Sequence, residues 1–361
     1  MPRLMSQPVE SEKLREPGSN QKSVANWATE STSELPQTLD LTHCGSRERR
    51  WGVILAGGDG TRLRSLTRVV SGDDRPKQFC RLLGKQTLLE QSRDRTAISI
   101  PQGQTIFALT RAHEQYYVPD LRQTPSRRLV QPCNRGTAPP IILSLLHIAD
   151  KDPDALVAIL PCDHYYSSET AFTQSLESAF QVAETHSESV VLGGARPSNP
   201  EVEFGWIELG VAAGNRLFHV QGFQEKPDQL VANRLFKSGA LWNTFIMVGH
   251  VNAFLEIAVA TMPELTGALE VVLSGCGCAW DIPVRTGWYD SIPVSDFSRQ
   301  VLAPSAERLL ALRLDDLEWH DLGHPDRVVS VLRSRSDSAP QWMHRWEDRR
   351  LDPHHHFPML T

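Results

Sequence analysis

Trp51-Gly-Val-Ile-Leu-Ala-Gly-Gly-Asp-Gly-Thr-Arg-Leu63 is the stretch that decides the fold. Its first half is a short continuous apolar run, the pattern of a strand buried on both faces of a parallel sheet. Its second half is a turn rich in glycine. Glycines let backbone N–H groups approach a polyphosphate without side-chain obstruction. Arg62, together with Lys77 of Arg75-Pro-Lys-Gln-Phe79, can neutralise the charge that develops in phosphoryl transfer. In isolation, a glycine turn with surface cations would read the same way. The stretch lacks both the Gly-Lys-Ser/Thr ending of a Walker loop and the Gly-x-Gly-x-x-Gly spacing of the dinucleotide fingerprint.

Outward from this point, apolar runs recur at Thr105 to Leu109, Leu156 to Leu160 and Ser189 to Gly193. Helix-compatible stretches, Thr87 to Thr96 and Thr170 to His186, lie between them. This alternation predicts an α/β fold. Beyond Phe204 shorter strands with turn signals predict a mixed sheet over a substrate. Val251 to Gly275 and then Ala303 to Arg313 carry helical spacing, suited to a lid or buttress. Residues 1–48 are rich in Ser, Glu, Gln, Asn and Pro without an apolar period, which predicts a disordered tail. The folded domain is expected over 49–332. Residues 333–361, which include His354-His355-His356, read as a second polar tail.

Composition narrows the function. Thirty-seven basic against 43 acidic residues give a net charge of −6, which offers no global field for nucleic acid, so an anionic substrate must be held locally. The longest mainly apolar stretch, Ala138 to Ala149, is too short to span a bilayer and contains two prolines. No membrane partner is expected, and the N-terminus lacks a secretory pattern, which favours the cytoplasm. Six cysteines do not suggest a disulfide framework, and Cys276-Gly-Cys278 lacks the partner ligands of a zinc site.

Further motifs follow in order: Gln131-Pro-Cys-Asn-Arg-Gly-Thr-Ala-Pro139, Leu160-Pro-Cys-Asp-His164, Phe204-Gly-Trp-Ile-Glu208, Phe223-Gln-Glu-Lys-Pro227, Leu241-Trp-Asn243 and Trp319-His-Asp-Leu-Gly323. Over residues 50 to 325 the chain resembles the sugar-1-phosphate nucleotidyltransferases, most closely the mannose-1-phosphate guanylyltransferase branch, which the Pro-Lys-Gln-Phe segment favours. The resemblance implies a GT-A-like, Rossmann-like mixed sheet flanked by helices. It also implies a Mg²⁺-dependent transfer from GTP to mannose 1-phosphate, giving GDP-mannose and pyrophosphate.

The same resemblance assigns roles. Arg62, Lys77 and Asp163 look catalytic, and Leu55, Ala56, Gly57, Gly58, Gly60, Thr61, Gln131, Gly136 and Thr137 look like the nucleotide site. Asp163 and Asp321 resemble the carboxylates that hold Mg²⁺. Read by itself, Asp163 follows a buried strand, where ligands collect, but equally suits a helix cap. Glu225 and Lys226, delivered by one strand, suit sugar hydroxyls and a sugar phosphate, or else an exposed ion pair. Asn243 offers a donor and an acceptor to a sugar ring, and Gly205 admits a sugar to the backbone. The Gln131 amide suits a nucleobase edge without deciding which base. Cys162 reads as a packing residue.

The chain departs from the family at an insertion, Val69 to Asp74, at Ser65, at Phe245 in place of a glycine, and at Cys162. These departures leave open a non-catalytic nucleotide-sugar sensor, or a transferase for another sugar phosphate or nucleotide. Homo-oligomerisation is also open. From its length, the isomerase or hexapeptide-repeat domain that some members carry is not expected.

Overall fold

The chain enters its sheet through β1 (Arg50–Leu55), the apolar run that precedes the glycine turn. A computed structural model describes residues 47–273, 281–284, 286–335 and 339–351. The Cys276-Gly-Cys278 pair, the His354 to His356 run and residues 1–46 lie outside the described residues. Arg47 and Glu48, assigned to the tail from sequence, are bonded to the domain instead. The Arg47 guanidinium donates to the Ile98 carbonyl at 2.6 Å, and Gln104 donates to the Glu48 carbonyl at 2.6 Å.

After β1 come α1 (Arg64–Ser71), α2 (Leu88–Ser99), β2 (Thr105–Thr110), α3 (Glu114–Leu121), β3 (Arg127–Gln131), α4 (Ala138–Lys151), β4 (Leu156–Pro161), β5 (Tyr165–Tyr166), α5 (Glu169–Thr185) and β6 (Val190–Ala195). The capping box of α2 is explicit: Thr87 accepts from the Glu90 N–H while Glu90 accepts from the Thr87 N–H. The second half opens with the hairpin β7 (Gly205–Gly214) and β8 (Leu217–Glu225), then α6 (Gln229–Ser238), β9 (Leu241–His250), α7 (Val251–Thr261) and α8 (Pro263–Leu273). It continues through β10 (Asp281–Pro283), α9 (Thr286–Tyr289), β11 (Leu309–Leu314), β12 (Trp319–His320), α10 (Pro325–Ser334) and α11 (Gln341–Leu351).

Among the described residues, ten strands make one mixed sheet in the order β10-β3-β2-β1-β4-β9-β6-β11-β8-β7. β1, β2, β3 and β4 run parallel, whereas β9 runs antiparallel to both β4 and β6. Apolar clusters fill the two faces, one lined by α4, α7 and α8 and the other by α5 and α6. β5 and β12 form a separate two-stranded ribbon. Among the described residues, no helix is long and apolar enough to cross a membrane.

Two expectations are corrected. Ala303 to Arg313 is not a continuing helix: a short turn of helix ends at Arg308 and Leu309–Leu314 joins the sheet, parallel to β6. Leu-Leu-Ala-Leu is apolar on both faces, so its run fits a buried strand as well as a buried helix. The polar tail at 333–361 likewise contains structure. α11 folds back so that Trp342, Met343 and Trp346 join a third apolar cluster with Leu66, Val69 and Leu332. The inserted Val69 to Asp74 is the last turn of α1 and its exit: Gly72 caps the helix at φ 82°, and Asp74 pairs with Arg68. Replacing Trp346, 4% exposed, with Ala should cost about 3 kcal/mol in urea-induced unfolding. A loss under about 1 kcal/mol would show that α11 is not part of the core.

Candidate active site

The sheet order makes the site. β2 and β3 extend from one side of β1 and β4 lies on the other, so the connections leave β1 and β4 in opposite directions, and a crevice opens beyond their carboxyl ends. Leu55 is paired with Pro161 in register. The glycine turn after β1 and the Cys162-Asp163 segment after β4 therefore begin side by side.

The turn is held from behind. Buried Gln78, the third residue of Pro-Lys-Gln-Phe, donates from one amide to the carbonyls of Ala56 (3.0 Å) and Gly58 (2.7 Å), and Thr110 donates to the Gly57 carbonyl at 2.9 Å. With its carbonyls engaged, the N–H edge of the turn is the part left for an anion. Gly60 adopts φ 58°, and a Cβ there would sit 3.0 Å from the Lys77 nitrogen, so the close pass of these two segments needs glycine. The turn then runs through Thr61–Leu63 into α1, whose N-terminus favours negative charge.

Lys77 is the centre of the cleft. Its ammonium donates to the carbonyls of Asp321 (2.6 Å) and Leu322 (3.2 Å) and lies 3.3 Å from an Asp163 carboxylate oxygen. Burial by itself would push the Asp321 carboxyl up. Lys77, Arg327 and the Gly323 N–H outweigh it and hold that carboxyl below its ordinary value. Burial also drives His164 down to about 4 despite its neighbour Asp163. His164 is therefore neutral near pH 7 and accepts at Nδ1 from the Trp319 indole at 3.1 Å. Cys162 is buried, which pushes its thiol up and fits a packing role. Arg62 reaches the same cleft from an exposed position, 3.2 Å from Glu203.

On the opposite wall stand the residues expected to hold the sugar. Gly205 and Glu225 are register partners, and a Cβ on Gly205 would come within 2.7 Å of the Glu225 carboxylate, so the glycine makes room for the acid. Burial raises the Glu225 carboxyl, Asp296 adds to the rise and Lys226 opposes it. Buried Asn243 accepts from the Phe245 N–H at 3.1 Å, which leaves its NH₂ group for a ligand. Lys226, Phe245 and Leu322 all have φ between 49° and 62°, a left-handed conformation that costs non-glycine residues of order 1–3 kcal/mol each. Strain of this kind collects here because the neighbouring contacts hold it in place.

A cleft of about 370 Å³ takes in Gly60, Thr61, Arg62, Lys77, Asp163 and Asp321 together with Gly205, Glu225, Lys226 and Asn243. A second cavity of about 310 Å³ opens beside it, lined by Leu55, Gly57, Gly58, Gln131, Gly136 and others, and the two share Thr137, Asp163, His164 and Phe245. All the sequence-derived site residues except Ala56 line one or the other. Ala56 is buried: its N–H bonds the Ala108 carbonyl and its carbonyl takes the Gln78 amide. Gln131 also differs from expectation. It lines the cavity, but its amide already accepts from the Tyr289 hydroxyl at 2.6 Å and donates to the Leu109 carbonyl at 3.3 Å, so it braces the wall. The polar edge that remains belongs to the loop from Asn134 to Thr137.

Sequence reasoning missed Arg327. One nitrogen of its guanidinium donates to Asp321 at 2.9 Å, and the other donates to Glu201 (2.8 Å) and Glu203 (2.9 Å), with the guanidinium carbon 4.6 Å from the centre of the Phe204 ring. Its place two residues into α10, behind the Asp321-Leu-Gly turn, carries no signature in one sequence. His164, Glu203 and Asp296, which line the cleft, and Gln78, which holds the glycine turn, were missed as well.

A model of the nucleotidyl transferase family matches residues 51–336. The chain belongs to that family. Among curated relatives, it is 29% identical over 291 residues to the xanthan biosynthesis protein XanB of Xanthomonas campestris, covering 77% of this chain and 58% of that protein. It is 26% identical over 309 residues to a mannose-1-phosphate guanylyltransferase of Escherichia coli, covering 82% and 64%. The chain thus spans about three fifths of the length of these relatives. A solved structure named as a mannose-1-phosphate geranyltransferase from Thermus thermophilus superposes with a TM-score of 0.66 at 30% identity, covering 78% of this chain and 79% of that one.

In this nucleotidyltransferase-family cleft, Arg327 is expected to act as a clamp on three carboxylates. Arg327→Met should lower stability by about 3 kcal/mol, because three acids lose the cation they share. Arg327→Lys should recover less than half, since an ammonium cannot reproduce the fork. Thermal unfolding with both variants measures this, and a parent-like Met variant would reject the clamp.

Proposed function

We propose that the protein transfers a nucleotidyl group from a nucleoside triphosphate to a hexose 1-phosphate. GTP and mannose 1-phosphate are the pair favoured by the names of its relatives, with GDP-mannose and pyrophosphate as products. One observation carries the reading: the glycine turn, Lys77, Asp163 and Asp321 converge on one cleft whose far wall offers Glu225, Lys226 and Asn243.

In this reaction a phosphate oxygen of the sugar 1-phosphate attacks the α-phosphorus, the bond from that phosphorus to the bridging oxygen breaks, and pyrophosphate leaves with the electron pair. The nucleophile is already anionic, so no general base is required, and positioning with charge stabilisation supplies the acceleration. The turn N–H groups, the start of α1, Arg62 and Lys77 face the triphosphate. Lys226 meets the sugar phosphate, while Glu225 and Asn243 orient the ring.

The donor set fits Mg²⁺. Asp163 and Asp321 offer hard oxygen ligands on one cleft, and water and substrate phosphates would complete the shell of an ion there. These two carboxylates would hold it. Bound there, the ion would neutralise charge on the polyphosphate.

Lys77→Met should reduce kcat/KM at least about 100-fold, equivalent to about 3 kcal/mol of transition-state stabilisation. Pyrophosphate release measured over a panel of triphosphates and sugar phosphates tests the reaction and its preference together. Asp163→Asn should retain the fold and nucleotide binding without Mg²⁺, yet lose turnover and the tightening that Mg²⁺ brings. Parent-like turnover in Asp163→Asn would remove the metal role. A well-folded parent that releases no pyrophosphate with any pair would replace the transferase by a sensor.

A further inference from the structure

The strand that carries Asn243 breaks its register beside the cleft. β6 and β9 pair Leu192 with Met247 and Gly194 with Asn243, so Gly193 of β6 faces three residues of β9, Thr244, Phe245 and Ile246. Hydrogen bonds hold this bulge. Thr244 donates to the Gly193 carbonyl at 2.7 Å and accepts from the Ile246 N–H at 3.4 Å, while the Phe245 N–H donates to Asn243 at 3.1 Å. Gly193 leaves room for it, because a Cβ there would meet the Thr244 hydroxyl at 3.0 Å and Ile246 at 3.1 Å. Bulges beside active sites re-aim a side chain, and the residue re-aimed here is Phe245, at φ 62°.

Two independent observations give that side chain a purpose. The first is its backbone: a bulky residue adopts positive φ only where the surrounding contacts enforce it, and glycine would take the same conformation without strain. The second is its position. The ring packs against the apolar cluster on the α4, α7 and α8 face and also lines both cavities of the cleft. Four residues are common to the two cavities, Thr137, Asp163, His164 and Phe245, and of these only Phe245 has a hydrocarbon side chain. It stands between the cavity with Gly57, Gln131 and Gly136 and the cleft that holds Glu225 and Asn243.

We propose that Phe245 sets the specificity for the sugar: its ring excludes hexose 1-phosphates that carry a bulky substituent, such as an acetamido group, at C-2. The inference rests on the transferase reading, which brings the α-phosphorus and the sugar 1-phosphate together where the two cavities meet. C-2 is the substituent-bearing carbon bonded directly to C-1, so its substituent is the part of the sugar ring that meets the wall at this junction. A hydroxyl there fits beside the aromatic ring. An acetamido group would have to displace a side chain that is packed from behind, and packed apolar side chains yield to added volume only at a cost. Discrimination of this kind is a clash built against the competitor, which explains why a strained phenylalanine is kept where glycine would suit the backbone.

The test compares two ligands that differ only at C-2, mannose 1-phosphate and its 2-acetamido-2-deoxy counterpart, titrated by calorimetry into the full chain with and without GDP. The parent should bind the acetamido sugar at least about tenfold more weakly. Phe245→Gly, which suits φ 62° and removes the ring, should bring the two affinities within about threefold of each other. Phe245→Asn, also tolerant of the left-handed region, should move the ratio the same way and serves if the glycine variant does not fold. A merely structural role would weaken both sugars alike and leave their ratio unchanged. Parent affinities that are alike, or a ratio unmoved in both variants, overturn the proposal. Pyrophosphate release by the parent together with an unmoved ratio rejects the wall alone, whereas binding of neither sugar to any chain in either arm rejects the wall and the sugar site together.

Discussion

The Lys77 ammonium ties together pieces of chain that the sequence keeps far apart. It joins the Pro-Lys-Gln-Phe turn to Asp163 after β4 and to the carbonyls of Asp321 and Leu322 near the end of the domain. A charge held this way in a largely buried position is costly unless every donor finds a partner. Here two carbonyls and a carboxylate supply them. The next residue, Gln78, turns the other way and holds the carbonyls of the glycine turn, so adjacent side chains face the two sides of one junction. The cation, the two carboxylates and the N–H edge of the turn then arrive in mutual register before any substrate is present.

This junction explains where the backbone is strained. Leu322 must take φ 50° for its carbonyl and that of Asp321 to meet one ammonium, while Phe245 takes φ 62° with its N–H donated to Asn243. Neither is a loose loop. Each is over-determined by hydrogen bonds and by the buried residues next to it, the condition under which strain survives in a marginally stable fold. Phe245 is the more informative, because its ring lies on the boundary shared by the two cavities of the cleft. A bulky side chain in a conformation suited to glycine is kept there against a local penalty, which places its value in the shape of the site.

Much of this was legible in the sequence, for definite reasons. β1, β2, β4 and β6 are short apolar runs bounded by turns, so their burial and spacing both show in one dimension. The glycine turn is marked by its own composition, whereas Asp163 and Asp321 were singled out through the family resemblance, and the fold brings all three to one cleft. β11 was not, since Leu-Leu-Ala-Leu gives no period to separate a buried strand from a buried helix. α11 was not, because its buried Trp342, Met343 and Trp346 are scattered among Arg, His, Glu and Asp, which lowers the mean hydropathy while leaving a narrow apolar stripe. Gln131 looked like a base reader because an amide can pair with a base, but only the fold brings Tyr289 and Leu109 close enough to engage it.

Arg327 and Gln78, both hidden from sequence, hold other residues of the site in place. A group that contacts substrate is constrained by the chemistry of that substrate, which a reader of sequence knows in advance. A group that positions a neighbour is constrained only by the path of the chain. Arg327 illustrates the difference, because its three carboxylate partners come from segments more than a hundred residues apart and from its own turn. Without it, Asp321 would keep Lys77 but lose the cation that shares its charge with Glu201 and Glu203. The acidic side of the cleft therefore depends on α10, and α10 in turn is packed against α11 in the third apolar cluster. The C-terminal segment, which composition alone marks as a tail, is thereby part of what holds the Asp321 carboxylate in place.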